Sequence, residues 1–584
     1  MQFINLLTTL KLLVPYKMPK ILTKKWISAT ATHHYFQEPL LDWFKYAGKP
    51  GNGGNQSVKT NNFLMEQGNQ FEASIIKLIY KKITSVYDVN GLTEARNEDK
   101  AKETWDAMKK GYTIILNGVL HNSSNKTYGV SDILIRSDKI HKLIKTPPPI
   151  NKTVAPKIGH KWHYCVIDIK YQTLILKSDG KNLLNSGLVP SYKAQLCIYN
   201  EALGKLQGYT PKQAYLLGRR WVYQQNGIKY FGNDCFDRLG QIDYADGDAH
   251  YKDLTKKALK WINLCKSAKA KKWNVTTYPL ARSELYPNMC NQYDQPWHEQ
   301  KKQLAEKNHE LTELWQVGKK NRDAAISQGV YDWMNPKCTA EILNVGGSYA
   351  SILNKIIAIN QSDDSIRPAF IKTNLYDWKE KGKEYFVDFE FKNAVFDTQI
   401  QLPIADTTIL LTQIGVGYYD KKWHYKHFTV DRINEDEEYK ICKQFLKWLP
   451  DNVKCWHWSN AEEMIWNNIL MKYKKLDKQL LWCDMLKLFQ QEPIVIKGAL
   501  NFKLKSVAGA MYRLGLIKTT WSQMDNGQLA MVKMVELDQL AERRHTTLNK
   551  LKEMKELIRY NEVDVKVMYE MLTHLRTMTK RKRE

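Results

Sequence analysis

Two acidic residues close an apolar run in the C-terminal half of the chain, Asp388 and Glu390 in the string from Tyr385 to Glu390. Because successive side chains of a strand alternate between its faces, these two carboxylates point the same way. Tyr560 and Asp564 share a face if their segment is helical. Carboxylates gathered in this way suit hard divalent cations such as Mg²⁺. The residue types therefore indicate metal-assisted hydrolysis of a phosphodiester bond.

A second group of chemically suitable side chains is spread through the N-terminal half. Asp168 and Lys170 share one face of a predicted strand, and Ile169 takes the other. Carboxylates and the Ile169 carbonyl could hold Mg²⁺, while Lys170 would orient a water or stabilise developing negative charge. Gln195 and Tyr199 are expected to position the strand from a helix. The full group is Glu72, Asp132, Asp168, Lys170, Gln195 and Tyr199.

The elements that must position these residues follow an α/β pattern. Helical and strand periods are mixed up to about Pro279, and a mainly helical stretch runs from Leu280 to Lys372. After Asn374, two strand-like runs, 385–391 and 409–419, precede helices. A chain of 584 residues exceeds one ordinary core, so two or three domains are expected. The predicted fold class is α/β.

Composition points to a polyanionic partner. The hydrophobic share of 43% excludes general disorder. The net charge of +27 favours binding to nucleic acid. The 18 Trp and 32 Tyr are interleaved with Lys and Arg and would allow base stacking. The alternative is a basic protein whose charges, including the run Lys580 to Arg583, are simply solvated.

Several classes of protein are disfavoured. Nine scattered cysteines include no Cys-x-x-Cys pair, so neither a zinc ribbon nor an iron–sulfur cluster is expected. An odd number of dispersed cysteines favours a reducing, intracellular setting. The expected localisation is soluble and intracellular, cytoplasmic or nucleoid-associated, or a host compartment if the protein is viral. No apolar run is long enough for a membrane span. Residues 1–16 are interpreted as an upstream extension before a start at Met18.

The N-terminal series resembles the RecB-type nucleases of the PD-(D/E)XK superfamily. The resemblance spans about Trp26 to Ala202, with its motifs in order, and includes an opening segment from Ile27 to Phe44. It implies a restriction-endonuclease-like α/β nuclease domain at residues 18–279 and Mg²⁺-dependent cleavage of DNA. Some relatives carry an iron–sulfur cluster, for which this chain lacks the cysteines.

The C-terminal set resembles DnaQ-like exonucleases of the RNase H-like superfamily, and more closely the YprB-type domains fused behind RecB-like domains. Asp388 and Glu390 match the first motif, and Tyr560 with Asp564 matches the third in its tyrosine (DEDDy) form. The resemblance implies a 3′–5′ exonuclease-type domain at residues 373–576. It also implies two Mg²⁺ or Mn²⁺ ions about 3.5–4 Å apart, a water oriented by Tyr560, and a strand contact by Lys505.

The chain departs from that family at the second motif. Glu462, in His457 to Glu462, stands where an aspartate is usual and would be a metal ligand. Glu463 and Asp484 remain alternatives for this acid. The pair Glu462 and Glu463 is also compatible with a solvated helix face.

The middle segment, residues 280–372, is expected to be a helical connector. Leu311 to Gly318, followed by Gln328 to Trp333, resembles a degenerate helix-hairpin-helix, in which backbone amides at a glycine turn approach phosphate. A plain connector is the alternative. Basic residues that would support a phosphate contact are Lys301, Lys302, Lys319, Lys320 and Arg322.

The leading interpretation is a metal-dependent nuclease with two separate acidic sites, acting in DNA repair, recombination or turnover. DNA is the expected partner, RNA is an alternative, and no membrane contact is expected. The alternatives are a nucleic-acid-binding protein with only one active site, a ribonuclease, and a structural interaction protein. The chain has no Gly-x-x-x-x-Gly-Lys-Ser/Thr loop, which disfavours a helicase or ligase.

Overall fold

The computed structural model describes residues 21–48, 55–393, 402, 409–476, 478–521 and 527–580. Within these residues it is a mixed α/β structure with 15 α-helices, so the predicted α/β class is confirmed. The chain forms two compact units. The first contains Phe71–Leu264 and the segment that ends at Gln37, and the second contains Glu38–Gln70 and most of the chain from Cys265 onward. The domain boundaries expected at residues 279 and 372 stay predictions.

The strands are β1 Ile27–Ser28, β2 Val86–Asp88, β3 Ile114–Asn122, β4 Thr127–Arg136, β5 Tyr164–Ile175, β6 Gln213–Gln225, β7 Ile228–Gly232, β8 Gly240–Asp243, β9 Ile366–Arg367, β10 Glu384–Lys392, β11 Leu410–Asp420, β12 Lys422–Thr429, β13 Lys454–His457, β14 Leu481–Asp484 and β15 Val495–Ile496. The helices are α1 His33–Gln37, α2 Leu40–Tyr46, α3 Asn55–Lys82, α4 Glu98–Lys110, α5 Val189–Gln207, α6 Tyr251–Cys265, α7 His298–Asn308, α8 Lys319–Ser327, α9 Gly347–Asn360, α10 Glu435–Trp448, α11 Ala461–Lys472, α12 Met485–Gln491, α13 Leu504–Arg513, α14 Gly527–Arg543 and α15 Met554–Lys580.

The first unit is built on an eight-stranded mixed sheet with the order β2-β3-β4-β5-β6-β7. In addition, β1 pairs with β4 and β8 pairs with β6. Strands β5 and β6 are parallel, with Asp168 beside Leu216 and Lys170 beside Gly218. Helix α5 is buried along most of its length because apolar side chains occur around its circumference, including Leu196, Ile198 and Leu203. It packs on β3, β4 and β5 and thereby brings its polar residues to the central strands.

The second unit contains a five-stranded sheet with the order β12-β11-β10-β13-β14. The first three strands along the chain are antiparallel, and β13 and β14 run parallel to β10. Strand β10 is covered on both faces: Phe386 lies in one apolar cluster, and Val387 and Phe389 lie in another. This double burial explains why its sequence is a nearly continuous apolar run broken only by the acids. Helix α15 packs against β10 and β11.

The segment expected to be a connector contains α7, α8 and α9, and its apolar residues share a cluster with the second sheet. Residues Leu311–Glu313 form a 3-10 turn, and α8 begins after Gly318. The expectation that Lys301 and Arg322 support a phosphate contact is wrong. Lys301 is fully buried against Glu38 and Asp294, and Arg322 is 1% exposed and donates to backbone carbonyls. No helix among the described residues has the length and apolar content needed to cross a membrane.

Candidate functional site

Three carboxylates of the second unit converge, two from neighbouring positions of one strand and one from a helix. Asp388 and Glu390 lie on β10, and Asp564 lies on α15. One carboxylate oxygen from each residue falls within 4.8 Å of the others, a separation that suits shared coordination of a cation. Within the described part of the chain, this is the one group of three acidic, histidine or cysteine side chains that meets that distance.

Polar neighbours fix two of these carboxylates. Asn561 donates a hydrogen bond of 2.7 Å to Asp388 Oδ2, and Trp521 Nε1 donates one of 2.9 Å to Asp564 Oδ1. Asn561 is itself held, because its Oδ1 accepts a hydrogen bond of 2.9 Å from the hydroxyl of Tyr425 on β12. The acidic cluster is therefore preorganised by a network that joins α15 to two strands.

A lysine and a tyrosine lie over the cluster. Lys505 Nζ on α13 donates a hydrogen bond of 2.9 Å to the hydroxyl of Tyr560, and it sits 4.4 Å from the centre of the Tyr560 ring. Tyr560 also hydrogen-bonds Asp564 and lowers its pKa. Tyr560 and Lys505, which the sequence analysis assigns to this site, are therefore in direct contact with each other.

The electrostatics of the cluster are those of acids that lack compensating charge. Burial raises the pKa of Glu390 to about 8 and that of Asp564 to about 7, against a smaller lowering by Lys505. Burial, then Asp564 and Glu390, raise the pKa of Asp388 well above its ordinary value. A divalent cation would compensate the repulsion that these shifts report. The donor set, all oxygen and acidic, fits Mg²⁺ or Mn²⁺.

The structure distinguishes the three acids considered for the second motif. Glu462 on α11 is 6% exposed, its Oε2 is 3.3 Å from His457 Nδ1, and its charge raises the pKa values of Asp388 and Asp564. Asp484 accepts hydrogen bonds from the backbone of Ser459 and from the first turn of α12, so it caps that helix. Glu463 is half-buried on α11. Glu462 is thus the acid whose charge acts on the cluster, although it lies outside the set of three.

A cavity of about 390 Å³ opens onto the cluster. Asp388, Tyr560 and Asp564 are among the residues that line it. The remaining lining is aromatic, amide, hydroxyl and cationic: Trp458, Asn501, Lys503, Leu504, Lys505 and Ser506. The lining offers a flat ring and two cations beside two acids, which suits a base and a phosphate better than an apolar ligand.

The first unit brings the N-terminal group together around Asp168. Lys170 Nζ forms an ion pair with Asp168 Oδ2, and Asp132 Oδ2 accepts a hydrogen bond of 2.6 Å from the Ile169 amide. Gln195 Nε2 lies 3.4 Å from Asp168 Oδ1 and 3.0 Å from the hydroxyl of Tyr199. Glu72, on α3, interacts electrostatically with Asp168 and Lys170. All six predicted residues therefore belong to one neighbourhood.

The charges in this neighbourhood are strongly coupled. Burial raises the pKa of Asp132 well above its ordinary value, and Asp168 adds to that effect. Burial also raises the pKa of Glu72. Burial opposes the charged form of Lys170, but Asp168 and Asp132 outweigh it, so the pKa of Lys170 lies above its ordinary value. In the described structure, the carboxylate oxygens of Glu72, Asp132 and Asp168 do not all lie within 4.8 Å of one another, whereas those of the C-terminal trio do.

His33 is a residue of this neighbourhood that the sequence did not indicate. Its Nε2 lies 2.8 Å from Gln195 Oε1. An ionised Asp168 can only accept hydrogen bonds, so Gln195 turns its amide nitrogen to Asp168 and its oxygen to His33. His33 therefore carries a proton on Nε2. Burial lowers the pKa of His33, which favours the neutral ring.

Asn561 and His457 are further site residues that sequence reasoning missed. Asn561 lies inside the quoted Tyr560 to Asp564 motif, and His457 stands five positions before Glu462. Their adjacency to assigned acids was a usable signal, but only the fold shows which atoms they contact.

Comparison with protein-family models and with curated proteins finds no match to this chain.

Proposed function

We propose that the protein is a metal-dependent nuclease that hydrolyses phosphodiester bonds of nucleic acid. The observation that carries the proposal is the convergence of Asp388, Glu390 and Asp564 in a partly buried cluster with raised pKa values. Such a cluster is unfavourable unless its acids are protonated or bind a cation. The mixed sheet with β10 at its centre supports an RNase H-like assignment for this unit.

In the proposed reaction, Asp388, Glu390 and Asp564 would hold Mg²⁺ or Mn²⁺, with Glu462 as an additional acid. A bound divalent cation supplies Lewis-acid chemistry and lowers the pKa of water. The hydroxyl of Tyr560 orients the attacking water through a hydrogen bond. Lys505 places a positive charge beside the phosphate and stabilises the charge that develops on it. Trp458 offers a ring on which a base can stack.

The first unit is proposed as a second nuclease site of the RecB-like type. Asp132 and Asp168 would hold Mg²⁺, with Glu72 as an additional acid. Lys170 is fixed beside Asp168, where it can orient a water or stabilise negative charge. Gln195 and Tyr199 hold Asp168 in position. DNA is the proposed substrate, and turnover, repair or recombination of DNA is the proposed setting.

The second candidate is a nucleic-acid-binding protein in which one of the two sites is inactive. It is favoured by the contrast between the units, because only the C-terminal carboxylates meet the distance for shared coordination within the described residues. Under this alternative, cleavage depends on Asp388 and not on Lys170.

The test is a Mg²⁺-dependent cleavage time course on end-labelled linear DNA, covalently closed DNA and RNA. It compares wild type with Lys170→Met, Asp388→Asn and the double variant. Matched controls are Lys161→Met and Asp420→Asn, which replace an exposed lysine and an exposed aspartate of the same units.

Two active sites predict that each single variant keeps part of the cleavage and that the double variant has none. Loss of all cleavage in Asp388→Asn alone, with Lys170→Met unchanged, selects the second candidate. Wild-type protein that cuts none of the three substrates with Mg²⁺ or Mn²⁺ would refute the proposed function.

A further inference from the structure

The strand pair that carries Asp168 and Lys170 continues past that site into a two-stranded ribbon. Strands β5 and β6 pair as far as Ile175 beside Val222. Beyond Val222, among the described residues, β6 pairs only with β7, up to Gln225 beside Ile228. Asn226 and Gly227 join the two strands with φ of 51° and 78°, as a tight hairpin with two left-handed residues requires. We call residues 223–231 the ribbon.

The ribbon exposes apolar side chains that no core demands. Phe231 is 61% exposed, Ile228 58% and Tyr230 38%. A two-stranded hairpin buries little of its own surface, so an apolar tip on such a hairpin gains nothing for folding. Grouped exposed apolar residues mark interaction sites more often than single ones do.

A stack of aromatic rings extends from Trp221 on β6 onto one face of the ribbon. The rings of Trp221 and Tyr223 are 5.9 Å apart, and those of Tyr223 and Tyr230 are 4.8 Å apart and nearly parallel. The guanidinium of Arg238 lies 4.2 Å from the centre of the Trp221 ring. Because these rings already pack against one another, less conformational entropy is lost when a partner binds.

The charge of the two strands selects the kind of partner. Residues 213–232 include no acidic residue, and Lys229 is exposed, whereas Arg219 and Arg220 are buried. Aromatic rings combined with cations, in a protein of net charge +27, suit a strand of nucleic acid with unpaired bases.

We propose that the ribbon binds unpaired nucleotides of the strand that leaves the first site, an inference that rests on the proposed function. Gly218 of β6 is paired with Lys170 of the first site. Tyr223 lies five residues beyond Gly218 along the chain, and Asn226 lies eight residues beyond it. At about 3.3 Å per residue these lengths are roughly 17 and 26 Å. At about 3.4 Å per stacked nucleotide, the ribbon contacts the strand roughly five to eight nucleotides from the site.

The experiment measures binding without cleavage. Fluorescein-labelled single strands of 4 and 20 nucleotides are titrated in EDTA, with fluorescence anisotropy as the readout. Wild type is compared with Phe231→Ala, with Tyr230→Ala/Phe231→Ala, and with Tyr80→Ala. Tyr80 is the matched control, because it is 51% exposed on α3. Thermal melting confirms that each variant is folded, and Phe231→Trp tests whether a larger ring restores binding.

The double variant is expected to bind the 20-nucleotide strand at least about tenfold more weakly, since one base stack contributes roughly five- to hundredfold. Affinity for the 4-nucleotide strand should not change, because a strand of that length held at the first site does not reach the ribbon. Tyr80→Ala and Phe231→Trp should bind as wild type does.

Equal binding of the 20-nucleotide strand by wild type and the double variant overturns the proposal. If the double variant instead loses self-association in sedimentation while its affinity for DNA is unchanged, the ribbon binds a second copy, which also overturns it. Because binding is measured in EDTA, failure of the wild type to cleave would refute the nuclease function without altering this readout.

Discussion

Asn561 on α15 and Gly415 on β11 fit together so closely that a Cβ added at Gly415 would lie 1.4 Å from Asn561 Oδ1. Gly415 is also the residue paired with Asp388 across the β10–β11 ladder. The missing side chain therefore makes room for the amide that hydrogen-bonds Asp388. Although Gly415 is distant from any acid in the sequence, it controls how the acids are held.

Gly415→Ala is expected to weaken Mn²⁺ binding at the C-terminal cluster by about ten- to hundredfold, the range typical when the support of a metal ligand is lost. The methyl group would displace Asn561 and leave Asp388 without its donor. Isothermal titration with Mn²⁺ measures the change. Gly382→Ala is the control, because an added Cβ there meets nothing within 4 Å. Wild-type Mn²⁺ affinity in Gly415→Ala would contradict this account of the site.

Asp42 provides a prediction about pH. It is fully buried on α2, and neither of its carboxylate oxygens has a hydrogen-bond partner among the residues that the structure describes. Burial raises its pKa from 3.8 to about 8. The folded protein keeps a proton that the unfolded chain releases, so this stabilisation is complete below about pH 4 and is lost as the pH rises through 8.

In the wild type, the proton on Asp42 makes the free energy of unfolding fall with rising pH, by at most about 1.4 kcal/mol per pH unit. Asp42→Asn should remove this dependence on pH. The variant is thus expected to be more stable than wild type at pH 9. Urea denaturation at intervals from pH 4 to 9 tests this. Asp363→Asn, at an exposed position, should keep the wild-type slope. Parallel curves for Asp42→Asn and wild type would show that Asp42 titrates normally.

His33 should influence the first site without touching its reacting groups. His33→Ala would free the Gln195 amide to turn, so that Asp168 loses a donor. The Mg²⁺ concentration for half-maximal cleavage is expected to rise about ten- to hundredfold. The assay is made in an Asp388→Asn background, which isolates the first site. An exposed histidine of the same unit, His141, gives the control His141→Ala. An unchanged Mg²⁺ requirement would remove His33 from the site.

Arg576 is predicted to be the main electrostatic link between α15 and β10. It donates to Glu384 at 2.6 and 2.8 Å and to the Trp378 carbonyl at 2.6 Å, and it is 5% exposed. Arg576→Met leaves Glu384 buried without its cation, which costs about 3–5 kcal/mol of unfolding free energy. Adding Glu384→Gln should recover part of that loss. Equal stability of the single and double variants would mean that the ion pair is not the cause.

The parts of the fold that could be predicted from the sequence are those encoded locally. The apolar run around Asp388 predicts a strand, because burial on both faces of β10 requires apolar residues at nearly every position. The spacing of Tyr560 and Asp564 predicts a shared helix face, and the structure places both on α15. In these segments neighbouring residues experience the same environment, so a short pattern is informative.

Contacts between distant residues could not be predicted in this way. His33 meets Gln195 across 162 positions, and neither residue lies in a pattern that specifies the other. Lys301 seemed a surface cation by type, yet it is fully buried because Glu38 and Asp294 compensate its charge. Whether a charged side chain is buried depends on its partner, and the partner is set by topology.

The hydrogen bond between Asn561 and Asp388 joins residues 173 positions apart. Loop closure over that distance is entropically expensive, so the contact forms only when both ends of the unit have docked. Until then β10 presents two carboxylates and no third, a poor ligand for a divalent cation. A partly folded chain is thereby prevented from assembling the acidic cluster. Cation affinity at this cluster would serve as a reporter of complete folding.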